Sequence, residues 1–362
     1  MSLIKVKSRG TDNVSGRKNL IINGAMNVNQ RGTVTTSNST DNYGIDRFRF
    51  SMTNSGTVGM YSDTTVPTGQ GFGKSQKIQW TSQNNTLDAA DFNYLNQPIE
   101  GQNLQHLKFG TSSAETLTLS FWVRSSVTGN YACGLYQADG DKNFVKTYTI
   151  SSADTWQFVV LNFAGNTSDT IANDNTRGLE VFWGLAFGSN YTGTNSSGGW
   201  TAYGSGGGLG YGQTANVSSS TSNTWYITGV QLEVGDSASD FEHRSFGEEL
   251  LLCKRYYQLI VEGNQKIISI AHWAASTEVD FVIHIPSMRT RPTLEYITGN
   301  EYWRIGGSGG STNTLDNLNV NTWSTESNIN LWTTTGAGGT AGYASYAYSN
   351  NASAKLGFTA EL

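Results

Sequence analysis

Asn19-Leu20-Ile21-Ile22-Asn23-Gly24-Ala25-Met26-Asn27-Val28-Asn29-Gln30-Arg31-Gly32-Thr33 stands near the front of the chain, and Trp225-Tyr226-Ile227-Thr228-Gly229-Val230-Gln231-Leu232-Glu233-Val234-Gly235 stands far downstream. Each reads as a strand. A pair of this kind opens and closes one β-sandwich. The stretch between them is rich in Gly, Ser, Thr and Asn, with scattered aromatics. That composition describes a rigid β scaffold that displays surface, not a catalytic pocket.

Working outward, the period is two from Asn19 to about Phe241. Leu117, Leu119, Phe121 and Val123 alternate with Thr118, Ser120 and Trp122. Leu179, Val181, Trp183, Leu185 and Phe187 alternate with Glu180, Phe182 and Gly184. Such alternation sends one face of each strand into a core and leaves the other wetter. Gly, Asn and Ser clusters part the runs, as turns require. No helical pattern of 10 to 15 residues intervenes, so a parallel α/β sheet is not expected. The fold class is all-β: a jelly-roll β-sandwich, then a short helix, then a smaller C-terminal β-sandwich.

Length and composition agree. The 362 residues suggest two domains. Charged residues are only 14% and aromatics 12%, which excludes a disordered charged tail. Four Pro in all suit long strand ladders. The net charge of -5 argues against nucleic acid as a ligand. No run approaches the length of a membrane helix, and the first 16 residues lack the apolar core of a secretory signal. A soluble protein without membrane insertion is expected. Cys133 and Cys253 are read as two buried free thiols.

The expected organisation is an arm at 1–18, docking or frayed, then a jelly-roll domain at 19–244. A helical connector at 245–258 and a β-sandwich tip at 259–362 follow. Ser245 and Glu248 form a capping box. Phe246, Leu250, Cys253 and Tyr257 then fall on one apolar stripe of a helix from about Phe246 to Gln258, and are candidates for an oligomer interface. Beyond it Val279, Phe281, Ile283 and Ile285 alternate again, and Lys355 to Leu362 reads as a last strand. Asn195 to Gly212 is Gly- and Ser-rich and should be a long surface loop.

No catalytic or metal motif is present. His106, His243, His272 and His284 lie in no metal-binding spacing, and the carboxylate pairs Asp139/Asp141 and Asp169/Asp174 read as solvated loop residues. Asp139-Gly140-Asp141-Lys142-Asn143 resembles half a calcium loop, but the later Glu is missing, so it reads as a turn. The remaining signal is aromatic. Flat rings stack on sugar C–H faces, while Asn, Gln and Asp bond hydroxyls. Trp122, Trp156, Trp183 and Trp225 lie in strands and read as core. Trp200, Tyr203, Tyr211, Trp303, Trp323 and Trp332 lie in loop-like contexts and are the candidate glycan contacts.

Asn19 to Gly24, Gln30 to Thr33 and Tyr43-Gly44-Ile45-Asp46-Arg47-Phe48 together resemble a pattern in bacteriophage virion proteins. So do Val230 to Gly235, Phe241 to Ser245, Glu248-Glu249-Leu250, Cys253-Lys254-Arg255-Tyr256-Tyr257 and Pro286-Ser287-Met288-Arg289-Thr290-Arg291-Pro292-Thr293-Leu294. The resemblance is to tail-fibre-like proteins with a jelly-roll domain similar to carbohydrate-binding modules. It implies a virion surface protein, assembled in the host cytoplasm with other virion proteins and commonly a homotrimer. A tail fibre adsorbing to a bacterial surface glycan is the first expectation. A capsid-decorating head fibre and a polysaccharide-degrading enzyme are the alternatives. No cofactor is implied beyond the structural calcium that such modules often hold.

Overall fold

The computed structural model describes residues 18–37, 42–53, 56–83, 86–193, 198–203, 208–306, 312–315, 317–334 and 339–362. Residues 1–17 of the arm expected at 1–18 and parts of the expected Asn195 to Gly212 loop lie outside the described residues. The chain forms two compact units. The first comprises Met1–Asn27, Thr33–Gly44 and Phe48–Arg244; the second comprises Val28–Gly32, Ile45–Arg47 and Ser245–Leu362.

Unit 1 is a jelly-roll β-sandwich. Its strands are β1 (Val34–Ser37), β2 (Asn42–Tyr43), β3 (Arg49–Met52), β4 (Thr57–Asp63), β5 (Ser75–Ser82), β6 (Phe92–Glu100), β7 (Leu117–Ser125), β8 (Gly129–Gln137), β9 (Lys142–Ile150), β10 (Gln157–Phe163), β11 (Arg177–Phe187), β12 (Thr201–Ala202) and β13 (Thr224–Val234). One sheet has the order β1-β4-β5-β13-β7-β10, the other β12-β9-β8-β11-β6-β3-β2. From β5 onward the chain crosses repeatedly from one sheet to the other. The inward faces meet in an aromatic core: Phe50 packs edge-on to Trp80 at 6.0 Å, and Phe121 edge-on to Trp183 at 5.8 Å. Each such ring stabilises by about 1.5–3 kcal/mol through burial. Cys133 is a buried free thiol of this core.

The downstream bracket, Trp225 to Gly235, is strand β13, as its alternation predicts. The upstream bracket is not a strand. Asn19 to Thr33 runs as bends and turns, with Asn23 and Met26 at positive φ. Its polar side chains replace a ladder. The Asn19 amide donates to the Val230 carbonyl at 3.0 Å, and Asn19 Oδ1 accepts from Leu232 N and Ile21 N. Gln97 exchanges two hydrogen bonds with the Ile22 backbone, at 2.8 and 2.9 Å. Strand β13 carries a bulge between Thr228 and Gln231, with Gly229 at φ 63°. Within the bulge Val230 N donates to the Gly24 carbonyl at 2.9 Å. Gly24 must be glycine, because a Cβ there would stand 2.1 Å from the Val230 carbonyl oxygen.

Unit 2 opens with the helix α1 (Phe246–Lys254), capped by Ser245, whose Oγ accepts from Glu248 N at 3.3 Å. The helix is shorter than the sequence stripe predicts. At Tyr257 the aromatic and β-branched run to Val261 becomes strand β14 (Tyr257–Glu262). The buried helix side also differs. Glu249 and Cys253 point inward, whereas Phe246 and Leu251 are exposed.

The remaining strands are β15 (Ile267–Ala275), β16 (Glu278–His284), β17 (Thr293–Ile297), β18 (Trp303–Gly306), β19 (Thr312–Thr314), β20 (Asn319–Val320), β21 (Asn328–Thr334), β22 (Ala344–Ser349) and β23 (Lys355–Thr359). They form a three-stranded sheet, β14-β23-β17, and a seven-stranded sheet, β19-β18-β22-β15-β16-β21-β20. Both sheets feed one core, with Val261, Leu356 and Phe358 from the first and Trp273, Phe281 and Trp303 from the second.

Part of the residues that carry the virion-protein resemblance, among them Gln30, Arg31, Asp46, Arg47, Tyr256, Tyr257 and Arg289, meet inside unit 2. The Arg31 guanidinium lies 3.6 Å over the Tyr257 ring and pairs with Glu295 and Glu361. The Arg47 guanidinium lies 3.4 Å over Tyr256 and also pairs with Glu361. Gln30 donates to Asp46 and to the Tyr257 carbonyl, and accepts from Leu259 N. Arg289 holds the Ala360 and Glu361 carbonyls. These motif residues therefore build the frame of unit 2 rather than a ligand surface.

Candidate functional site

The outward face of the sheet β12-β9-β8-β11-β6-β3-β2 carries the site. Alternation places Tyr94 and Asn96 of β6, Tyr136 of β8, Arg49 of β3 and Glu180 and Phe182 of β11 on that face. Two register shifts in β11 complete it. One lies between Arg177 and Leu179, the other between Gly184 and Ala186. Residues three apart on a regular strand face opposite ways. The first bulge turns Arg177 to the side of Glu180, and their side chains meet at 2.7 Å. The second turns Phe187 outward, against Tyr94. The simple period that places Phe187 in line with Leu179 and Trp183 is corrected by this bulge.

The chain after β11 then folds back over the same face. Gly188 and Asn190 donate to the Asp91 and Ala89 carbonyls, β12 pairs with β9, and Gln213 caps Ala132 N at 2.7 Å. Tyr191, Tyr203, Leu209 and Tyr211 thereby pack with Ala132, Val145, Phe182 and Phe187.

Where this cover meets the sheet, a cavity of about 230 Å³ remains, lined by Tyr94, Tyr136, Arg177, Glu180, Tyr203 and Leu209. Its polar floor is Glu180. The Oε2 atom of Glu180 accepts from Arg49 and from Arg177, each at 2.7 Å. Arg49 is fixed in turn by donating to Asn96 at 2.8 Å. The Tyr136 and Tyr203 rings meet edge to face at 5.2 Å, and the Arg177 guanidinium lies 5.0 Å over Tyr136. The Tyr136 hydroxyl donates to Asp141 at 3.0 Å. Burial, with that carboxylate beside it, pushes the Tyr136 phenol up to about 12. Burial also raises Tyr94 and Tyr203. All three phenols thus stay protonated at neutral pH, the Tyr136 proton being committed to Asp141. The site combines flat rings, one carboxylate and two guanidiniums around a small hollow.

Of the six aromatic candidates, Tyr203 lines the cavity, and Tyr211 belongs to the apolar layer beneath the covering loop. Trp200 is pinned to the body: its Nε1 donates to the Ala164 carbonyl at 2.8 Å and its ring packs on Phe109 and Phe144. In unit 2, Trp303 is fully buried at the core, which removes it from display, because its strand β18 turns it inward. Trp332 is half-buried on β21, and Trp323 is 84% exposed. Of the interface candidates, Phe246 is exposed, Leu250 half-buried, and Cys253 and Tyr257 are buried within unit 2.

Tyr94, Tyr136, Arg177 and Glu180 were not singled out by sequence reasoning. One signal stood in plain sight: Glu180 is a carboxylate inside an apolar run, Leu179 to Phe187. The half-calcium stretch is the turn between β8 and β9, with Asp139 accepting from Ala172 N and Asp141 at φ 46°. Among the described residues no group of three or more His, Cys, Asp or Glu side chains is placed to share a metal ion. No helix among them is long and apolar enough to cross a membrane.

No protein-family model matches the sequence, and no curated protein matches it. Solved structures with similar folds include the bacteriophage CBA120 tailspike protein 4 enzymatically active domain, at 11% identity and a TM-score of 0.31 over 60% of this chain. The chain spans only 22% of that domain's length. TmCBM61 in complex with β-1,4-galactotriose is similar at 10% identity and a TM-score of 0.28, over 60% of this chain and 100% of that one. The tandem CBM22-1–CBM22-2 of Paenibacillus barcinonensis Xyn10C is similar at 8% identity and a TM-score of 0.28, over 96% and 99% of the two chains.

Proposed function

We propose that unit 1 binds a glycan in the tyrosine-lined cavity over Glu180, and that the chain is a bacteriophage virion fibre adsorbing to a bacterial surface through it. The observation that carries the binding reading is the pairing of ring faces from Tyr136 and Tyr203 with the fixed polar pair Arg177 and Glu180 in one hollow. Rings supply the apolar contact a sugar face needs, and the charged pair supplies direction for its hydroxyls. The virion part of the reading rests on the motif resemblance of the sequence. The exposed Phe246 and Leu251 of α1 favour self-association, with a trimer as the proposed state.

A glycan array probed with the full chain tests binding. Tyr203→Ala removes one ring and should weaken the best ligand at least about ten-fold. A variant that binds as well as the parent would refute this site. Immunogold labelling of virions distinguishes a tail fibre from a head-decorating fibre. Release of new reducing ends from host polysaccharide would replace binding by hydrolysis.

A further inference from the structure

We infer that the unit accepted by this cavity is a single acidic sugar, whose carboxylate sits on Arg177. This rests on the glycan reading above and names its ligand class.

Arg49 and Arg177 both donate to Glu180, and Glu100 stands opposite Arg177 on β6. Asp141 lies close by on Tyr136, but it is exposed, and solvent screens it. The two arginines also differ. Arg49 is buried and held between Asn96 and Glu180. Arg177 gives a hydrogen bond to Glu180 through Nη1 only, and its side chain is 35% exposed. A guanidinium has five N–H donors, so most of its fork stays open toward the cavity. The Tyr136 ring beneath it fixes the plane of that fork. A planar fork of donors matches a carboxylate in bidentate fashion. The bulge at Arg177 and Leu179 is what brings this fork to the face at all.

Size sets the other half of the inference. The hollow is about 230 Å³, below the roughly 300 Å³ at which pockets for drug-sized ligands begin. That volume suits a single sugar ring, with Tyr203 and Leu209 on the cover side.

The test is calorimetric titration of the full chain with oligosaccharides ending in glucuronate, galacturonate or neuraminate. Each is paired with its carboxyl-reduced twin. The acidic form should bind about ten- to a hundred-fold more tightly than its twin, the gain expected of a charge-assisted bidentate contact. Arg177→Gln should weaken the acidic form far more than the neutral twin and so abolish that difference, and Arg177→Lys should restore part of it. Equal binding of acidic and reduced forms by the parent overturns the inference and leaves the glycan reading intact. A loss of both forms alike in Arg177→Gln, in a variant with parental thermal unfolding, also overturns it. If that variant does not fold, the parent's comparison of twins still decides. Binding to no glycan of either set overturns both readings.

Discussion

Glu361 lies two residues beyond the last strand, at the end of the described chain, where a substitution would ordinarily pass unnoticed. Here its carboxylate is nearly buried and is shared by two buried guanidiniums, Arg31 at 3.3 Å and Arg47. Burial acts to lower the Arg31 pKa, but Glu361, Glu295 and Asp46 outweigh it and hold it above its ordinary value. Glu361→Ala takes the common partner away. Removing one member of a buried pair costs about 3–5 kcal/mol, because a charge is left in a poor solvent. A domain is stable by only about 5–15 kcal/mol, so unit 2 would lose a large part of its margin. Native-state hydrogen exchange reads this locally. Amides of β23 and β14 should lose protection by about a hundred-fold to several-thousand-fold. Glu361→Leu combined with Arg47→Met, which swaps the pair for apolar groups, should recover much of the loss. A single-variant cost below about 1 kcal/mol, the scale of an exposed pair, would refute the reasoning. So would a double variant no more stable than the single one.

Three further outcomes follow from the packing. Gly24→Ala should destabilise unit 1 by about 2 kcal/mol or more in urea unfolding, since its Cβ meets backbone of the β13 bulge that cannot yield. Trp303→Ala should cost unit 2 about 3–5 kcal/mol, whereas the exposed Trp323→Ala should stay within about 0.5 kcal/mol in the same assay. Glu242 accepts from Asn19 N at 2.8 Å and from Arg244 at 2.9 Å, and these contacts outweigh partial burial and bring its pKa below 4.5. A depressed carboxyl adds stability above its unfolded value that is lost as pH falls through the folded one. The stability gap to Glu242→Gln should therefore be full at about pH 7 and close toward about pH 3.

Much of the fold was legible because period-two runs obey a rule that needs no partner. Leu117 to Val123 became β7, Val279 to Ile283 lies in β16, and Trp225 to Val234 became β13. The upstream bracket misled because Asn19 to Thr33 has strand composition but not strand bonding. Its amides are answered by Gln97, by its own Asn19 and by the bulged stretch of β13. Gln97 lies 75 positions from Ile22 and Leu232 lies 213 from Asn19, and composition carries no trace of them. The helix stripe failed for a related reason. Phe246 and Leu250 satisfy a helical spacing, yet Glu249 and Cys253 point inward and Tyr257 is taken by a strand. Tertiary pairing overrode a local pattern.

The candidate site was hidden by the same kind of displacement. Aromatic residues in Gly-rich loops suggested where a ligand would be met, and Tyr203 does line the cavity. Leu209 comes from the same loop, whereas Tyr94, Tyr136, Arg177 and Glu180 come from strands. A regular strand would have put Arg177 and Glu180 on opposite faces of the sheet. One extra residue in β11 brings them together, and a second bulge lower in the same strand brings Phe187 to Tyr94. Bulges cost a sheet its regular ladder and return a re-aimed side chain. One turns Arg177 to the hollow itself, and the other turns Phe187 onto Tyr94, which lines it. Inserting a residue after Gly178 to shift the register there should separate the Arg177 and Glu180 side chains and erase binding while the inward faces of β11, from Val181 onward, keep their packing.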